Sequence, residues 1–360
     1  MHEKDNKNYE TTIMNLYLTK AGRLKRKDNT LSFELLNIPE EHILADEESP
    51  ELGWMNPDKK HALPIESIDS IYVFSEMTFN SKLVNFLGQK KIPVHFFNYY
   101  GNHSNTLLPH AEQLSGDLVI KQAEAYKNHK RIEFCRTLLE ATFHNILSVL
   151  QYYHRKNNNL TEEITKIKAF SKSLPDYDSA TELMGIEGNV RRIYYKAWEK
   201  WMGSRVANFK RVYHPPDNPV NAMISFVNSL LYTCCVSEMY RTALYPGISY
   251  LHTPQTRRFS LALDMVEPFK PLIVDRLIFR MFGQNEISDK DFRKHTNGIL
   301  LTDDARRKVL AAWDQQLRKT VHVPALKRSV SYRRLLRLDC YKLIKFLLED
   351  QKFKPYRITY

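Results

Sequence analysis

The sequence predicts an α+β protein: a small N-terminal β-rich domain over residues 1–115, then a larger all-helical domain over residues 116–360. Three observations carry this. Near Ser115 the hydrophobic spacing changes from short alternating runs to a helical period. The charge changes sign there too: residues 1–115 hold 12 Lys and Arg against 16 Asp and Glu, a net of −4, whereas 116–360 hold 41 against 25, a net of +16. The hydrophobic fraction, 43%, is enough to build ordinary cores and excludes wholesale disorder.

The elements follow in order. Ile13, Leu16 and Leu18 form a β-prone run ending at Gly22. Asp28-Asn29 supplies turn chemistry, and Leu31, Phe33 and Leu35 alternate after it, which predicts a hairpin. The acidic stretch 38–60, with Pro39, Pro50 and Pro57, reads as a loop. Ile68, Ile71 and Val73 mark a strand, and Phe79, Leu83, Phe86 and Leu87 mark a helix closed by Gly88. IPVHFFNYYG then reads as a buried strand. Helices are expected at 116–152, 160–170, 179–201, 219–243, 261–282, 302–319 and 329–349, with Thr161, Ser179 and Thr302 as caps.

Several classes fall away. Four scattered cysteines make neither a disulfide framework nor a CxxC metal site and fit packed thiols of a cytoplasmic protein. No run approaches about 18 uninterrupted apolar residues and the N-terminus is polar, so neither a membrane span nor a signal peptide is expected. There is no GxxxxGK[ST], GxGxxG or GxSxG, which argues against an ATPase, a dinucleotide enzyme or a nucleophile-elbow hydrolase.

Three helical-domain segments hold candidate chemistry. In ELMGIEGNVRRIYY, Glu187 stands between Gly185 and Gly188, residues that permit close approach of a backbone or ligand; the bland reading is a packing contact beside a solvated glutamate. In GISYLHTPQTRRFS, His252 ends an apolar run, a place for a ligand or for a hydrogen-bonded loop histidine. In LALDMVEPFKP, Asp264 and Glu267 share a helical face among apolar residues, where a cation would relieve their repulsion; the alternative is an ordinary acidic face. One imidazole with two or three carboxylates suits Mg²⁺ or Mn²⁺. Arg191, Arg192, Arg257, Arg258 and Lys270 lie around that set as donors for a phosphodiester. The positive field attracts polyanions, of which nucleic acid is the commonest; from charge alone a basic surface kept for solubility is an equal alternative.

Longer segments carry a resemblance. VFSEMTFNSKLVNFLGQKKIPVHFFNYYG, ELMGIEGNVRRIYY, PPDNPVNAMISFVNSLLY, SYLHTPQTRRFSLALDMVEPFKPLIVDRLIF and VSYRRLLRLDCYKLIKFLL, in that order, resemble the CRISPR-associated integrase and endonuclease family of spacer acquisition, in its subtype I-B branch. The resemblance implies metal ligands at Glu187, His252 and Glu267, an acidic catalytic-site residue at Asp264, and a DNA-associated base at Lys270. Some members carry aspartate where this chain has Glu267, and some relatives carry lysine where it has Gln255. It further implies a homodimer paired through the β domains, a smaller ferredoxin-like CRISPR-associated partner in a heterohexamer, and insertion of captured DNA into a repeat by attack of a 3′-hydroxyl. A general metal-dependent nuclease and an inactive DNA-binding scaffold are the alternatives to an active integrase.

Overall fold

Residues 14–35 form three strands in the computed structural model of the chain: β1 (Met14–Leu18), β2 (Gly22–Lys27) and β3 (Thr30–Leu35). The last two make the expected hairpin, with Lys27 opposite Thr30. Asp28 takes φ +54°, the left-handed conformation that a two-residue turn needs and aspartate tolerates. The structure describes residues 14–35, 63–110, 115–206, 210–212, 215–254, 258–296 and 298–359. The stretch 38–60, Ile13, Gln255 and Arg257 lie outside the described residues. The chain divides into two units, Met1–His110 and Ala111–Tyr360.

In the first unit, β4 (Leu63–Pro64), β5 (Ile68–Val73), β6 (Met77–Thr78), β7 (Val94–Phe97) and β8 (His103–Leu107) complete two four-stranded sheets, ordered β1-β5-β7-β8 and β4-β3-β2-β6. β1, β5 and β7 run parallel and β8 antiparallel. Helix α1 (Ser81–Gln89) supplies the crossover from β5 to β7 that parallel pairing requires. Asn80 caps it by accepting from the Leu83 N–H. Gly88 lies inside α1, and Lys91, at φ +58°, takes the left-handed position just past its end. Leu16, Leu24, Leu31, Ile71, Leu83, Phe86 and Val94 form one apolar core.

The second unit is mostly helical. The expected long helix is two, α2 (Gly116–Lys127) and α3 (Lys130–His154). Asn128 is extended between them, and its side chain accepts from the Lys130 N–H, so a cap-forming residue breaks the period. Then come α4 (Thr161–Ser173), α5 (Ala180–Ala197), the short α6 (Glu199–Met202) and α7 (Pro219–Tyr240). Ser179 caps α5 as expected; Thr161 is instead the first residue of α4. α8 (Ser260–Val266) and α9 (Arg276–Gly283) bracket an irregular stretch. The hairpin β9 (Phe292–His295) and β10 (Gly298–Leu301), then α10 (Asp303–Arg318), a second hairpin β11 (Thr320–Val323) and β12 (Arg328–Ser331), and α11 (Tyr332–Leu348) finish the unit. The two short hairpins are additions to the all-helical expectation; their four-residue strands are too brief to show a period.

α7 is long and apolar enough to cross a membrane, yet 78% of its most apolar window is buried inside the unit, against α8, α9 and α11. It also carries Glu238, whose carboxylate is fully buried. Glu238 accepts from Arg241, just past the end of α7, at 2.9 Å, and from Arg333 at 2.7 Å and Arg337 at 2.6 Å on α11. The four cysteines are buried and unbridged, and burial pushes the Cys234 and Cys235 thiols well above their ordinary range. Glu238→Ala leaves three half-buried guanidiniums without their carboxylate. Urea denaturation is expected to register a loss of about 3–5 kcal/mol.

Candidate active site

The site begins on α5. Leu183, Ile186, Val190 and Tyr194 form its buried stripe, and Glu187 and Arg191, four residues apart, stand along one edge. The Arg191 Nε donates to Glu187 Oε1 at 2.8 Å, and its Nη2 donates to Glu267 Oε2 at 2.6 Å. Glu267 comes from 76 residues further along the chain. Pro268 and Pro271 explain where it sits: neither can donate a helical hydrogen bond. After α8 the chain makes one 3₁₀ turn, Glu267–Phe269, and then a π-helical turn, Lys270–Asp275. Buried amides satisfy carbonyls of this stretch: Asn145 donates to Pro268 O at 2.7 Å and Gln316 to Leu272 O at 3.1 Å. The Lys270 Nζ lies 2.5 Å from Glu267 Oε1, so each oxygen of this carboxylate, itself only 3% exposed, faces a different cation. Burial alone would push the Glu267 carboxyl up; Lys270, Arg191 and His252 outweigh it and hold it well below the usual carboxylate range.

Asp264 organises the other half. Its fully buried carboxylate accepts from the backbone N–H groups of Tyr250 at 2.7 Å, Leu251 at 3.0 Å and His252 at 2.9 Å, and lies 2.7 Å from His252 Nδ1. Ser249 Oγ donates to the His252 carbonyl at 2.6 Å. The His252 ring is thus held through Nδ1, which leaves Nε2 as its nitrogen for other partners. Burial lowers the affinity of His252 for a proton, but the Asp264 hydrogen bond and charge raise it more, so its pKa lies above the ordinary histidine value.

The structure redistributes the sequence-derived roles. Asp264 and Glu267 do not share a cation: one holds the 250–252 loop, the other meets Arg191 and Lys270. Four interactions on its two oxygens tie Asp264 to the 250–252 backbone and the His252 ring. Arg191 is 7% exposed and engaged by both carboxylates; its spacing from Glu187 turns it inward. Arg192 and Arg258 are exposed, and Lys270 is half-buried against Glu267. Glu187 and Glu267 meet through Arg191, and His252 is electrostatically coupled to Glu267. Among the described residues, no three His, Cys, Asp or Glu side chains close into a metal-holding group.

Asp275 and Tyr194 escaped sequence reasoning. Both are buried, and Asp275 Oδ2, the Tyr194 hydroxyl and Arg191 Nη1 have no hydrogen-bond partner of good geometry among the described residues. All three groups are electrostatically coupled. A carboxylate at the end of the apolar run PLIV, with Arg276 directly after it, was the available signal. Burial pushes the Asp275 carboxyl up to about 7, against the pull of Arg191. Gly185 and Gly188 serve no internal close approach: a Cβ built on either meets nothing within 4 Å.

Two predictions follow from this geometry. Gly185→Ala and Gly188→Ala should each raise stability by about 1 kcal/mol in urea denaturation. Between about pH 4 and pH 7 folded Asp275 keeps a proton that the unfolded chain, near its ordinary 3.8, has released, so its contribution to stability falls as pH rises. Asp275→Asn should therefore gain stability relative to the parent protein when unfolding is measured at pH 8 rather than pH 5; equal differences at both values would contradict it.

Comparison with known proteins agrees with the fold and extends it. A family model described as CRISPR associated protein Cas1 matches residues 16–315. The chain is 42% identical over 343 residues to the CRISPR-associated endonuclease Cas1 of Fusobacterium nucleatum, covering 95% of this chain and 96% of that one. The solved structure of a Cas1 protein from Thermotoga maritima superposes with a TM-score of 0.79 at 35% identity, covering 95% of this chain and 99% of that one. A casposase bound to integration product shares the fold, with a TM-score of 0.78 at 19% identity over 97% of this chain and 96% of that one. So does a Cas6-RT-Cas1–Cas2 complex chain, at 0.77 and 17%, covering 98% of this chain and 37% of that one. With the family model and full-length relatives in agreement, the chain belongs to the Cas1 family of CRISPR-associated proteins.

Proposed function

We propose that this chain is the integrase and endonuclease of CRISPR spacer acquisition, in the subtype I-B branch, working in the cytoplasm. It joins the 3′-hydroxyl of a captured DNA fragment to a phosphodiester at the edge of a repeat. One P–O bond forms as another breaks, the attacking hydroxyl gives up its proton, and the leaving 3′-oxygen gains one. Bond number is conserved, so no nucleotide triphosphate is consumed, in keeping with the absent phosphate-binding loop. Water in place of the 3′-hydroxyl gives endonuclease cleavage at the same site.

One observation carries the reading: Glu187 and Glu267, from distant parts of the sequence, converge on a guanidinium while a pinned imidazole is coupled to Glu267. The donor types suit a hard divalent cation: the Glu267 carboxylate already accommodates cationic groups, and His252 keeps Nε2 uncommitted to Asp264. Glu187, His252 and Glu267 would hold Mg²⁺ or Mn²⁺. Such an ion supplies charge stabilisation at the phosphate and leaving oxygen. Asp264 fixes the His252 ring, Arg191 ties the two carboxylates together, and Lys270, Arg192, Arg257 and Arg258 supply phosphate contacts. The acidic first unit mediates homodimer pairing. A Cas2-type partner, small and ferredoxin-like, completes a heterohexamer, in line with the Cas1–Cas2 complex that shares the fold.

Glu187→Ala, His252→Ala and Glu267→Ala should each abolish joining of a labelled fragment to a repeat-containing plasmid while gel-shift binding of DNA survives. Full joining by any two would overturn the site; cleavage without joining by the parent protein would favour a general nuclease. Residues 321–360 carry 10 Lys and Arg against 3 Asp and Glu. DNA affinity should accordingly fall with salt by a power of about 0.9 per phosphate neutralised, and a flat response would contradict phosphate contact.

A further inference from the structure

Glu267 holds two cations of very different mobility. Arg191 is nearly buried, donates to both carboxylates, and is fixed in a rigid fork. Lys270 makes one ion pair, 2.5 Å to Glu267 Oε1, and its side chain is 23% exposed on a flexible four-carbon stem. An incoming divalent ion at Glu267 needs a carboxylate oxygen. Both are occupied, and only one occupant can leave without stranding a buried guanidinium.

We propose that Lys270 is the displaceable counter-ion of this site: a divalent cation takes the Glu267 oxygen that Lys270 holds, and the released ammonium turns to a phosphodiester of bound DNA. The inference rests on the metal site proposed above. The metal-free centre is then an internally neutralised form. Metal entry exposes one more phosphate-binding cation beside the ligands, and occupation of that cation by DNA removes the competitor for Glu267. Metal and DNA therefore bind cooperatively, and the coupling is reciprocal because it is thermodynamic. A free nuclease with little metal keeps its carboxylates engaged, and the DNA complex loads metal more readily.

Two measurements on the full chain test this. Free Mn²⁺ counted by its electron paramagnetic resonance signal gives the binding constant for the parent protein and Lys270→Met. Removal of a competing charge at ion-pair distance should tighten Mn²⁺ binding about tenfold or more in the variant. Reductive methylation of the unmodified protein, read by mass spectrometry at Lys270, avoids any doubt about the variant's folding. Methylation should rise several-fold when Mn²⁺ is added and fall again when a DNA duplex is added briefly in the cold. Mn²⁺ binding by the parent protein with Lys270 methylation unchanged, or with affinity unaltered or weakened in a folded Lys270→Met, overturns the exchange while leaving the metal site standing. No Mn²⁺ binding by the parent protein overturns the metal-site reading, and the exchange with it.

Discussion

The site depends on one guanidinium in an almost dry setting. Arg191 is 7% exposed, and a charge so placed must be matched. It is matched twice, by Glu187 on its own helix and by Glu267 from a stretch 76 residues away. Remove Arg191 and the link between Glu187 on α5 and Glu267 is lost. The arginine thus fixes helix to irregular stretch.

The irregular stretch is as necessary as the charge. A regular helix through Ser260–Gly283 would project Glu267 and Lys270 along one continuous stripe. Pro268 and Pro271 interrupt it, and the 3₁₀ and π turns re-aim Glu267 toward α5 while Asp264 faces the histidine loop. Interruption is tolerated because Asn145 and Gln316, both buried, donate to carbonyls in the stretch.

Much of this was legible in the sequence. The Asp28-Asn29 hairpin, the helix at residues 81–89 and the cap at Ser179 were visible because turn residues, apolar period and caps agree locally. The α2–α3 break was hidden because its apolar period continues across one cap-forming residue, Asn128. In the site, residue types were readable and pairings were not. Two adjacent arginines look alike in sequence, yet Arg191 turns inward and Arg192 outward, a difference set by register on α5. Asp264 looked like a partner of Glu267 because spacing says which side chains share a face, not which backbone amides come to meet them.

Asn145 also reaches past the site. Its side chain donates to Pro268 O and to Tyr356 O, and accepts from the Ile358 N–H at 2.7 Å, while Phe353 stacks on Phe134 of the same helix. Residues 353–358 are therefore wedged beneath the stretch that carries Glu267. Synthesis runs from N- to C-terminus, and these residues follow every other part of the site. A nascent chain that already contains Glu187, His252 and Glu267 still lacks the segment that locks Asn145, so the stretch carrying Glu267 is braced only after residues 353–358 have been made.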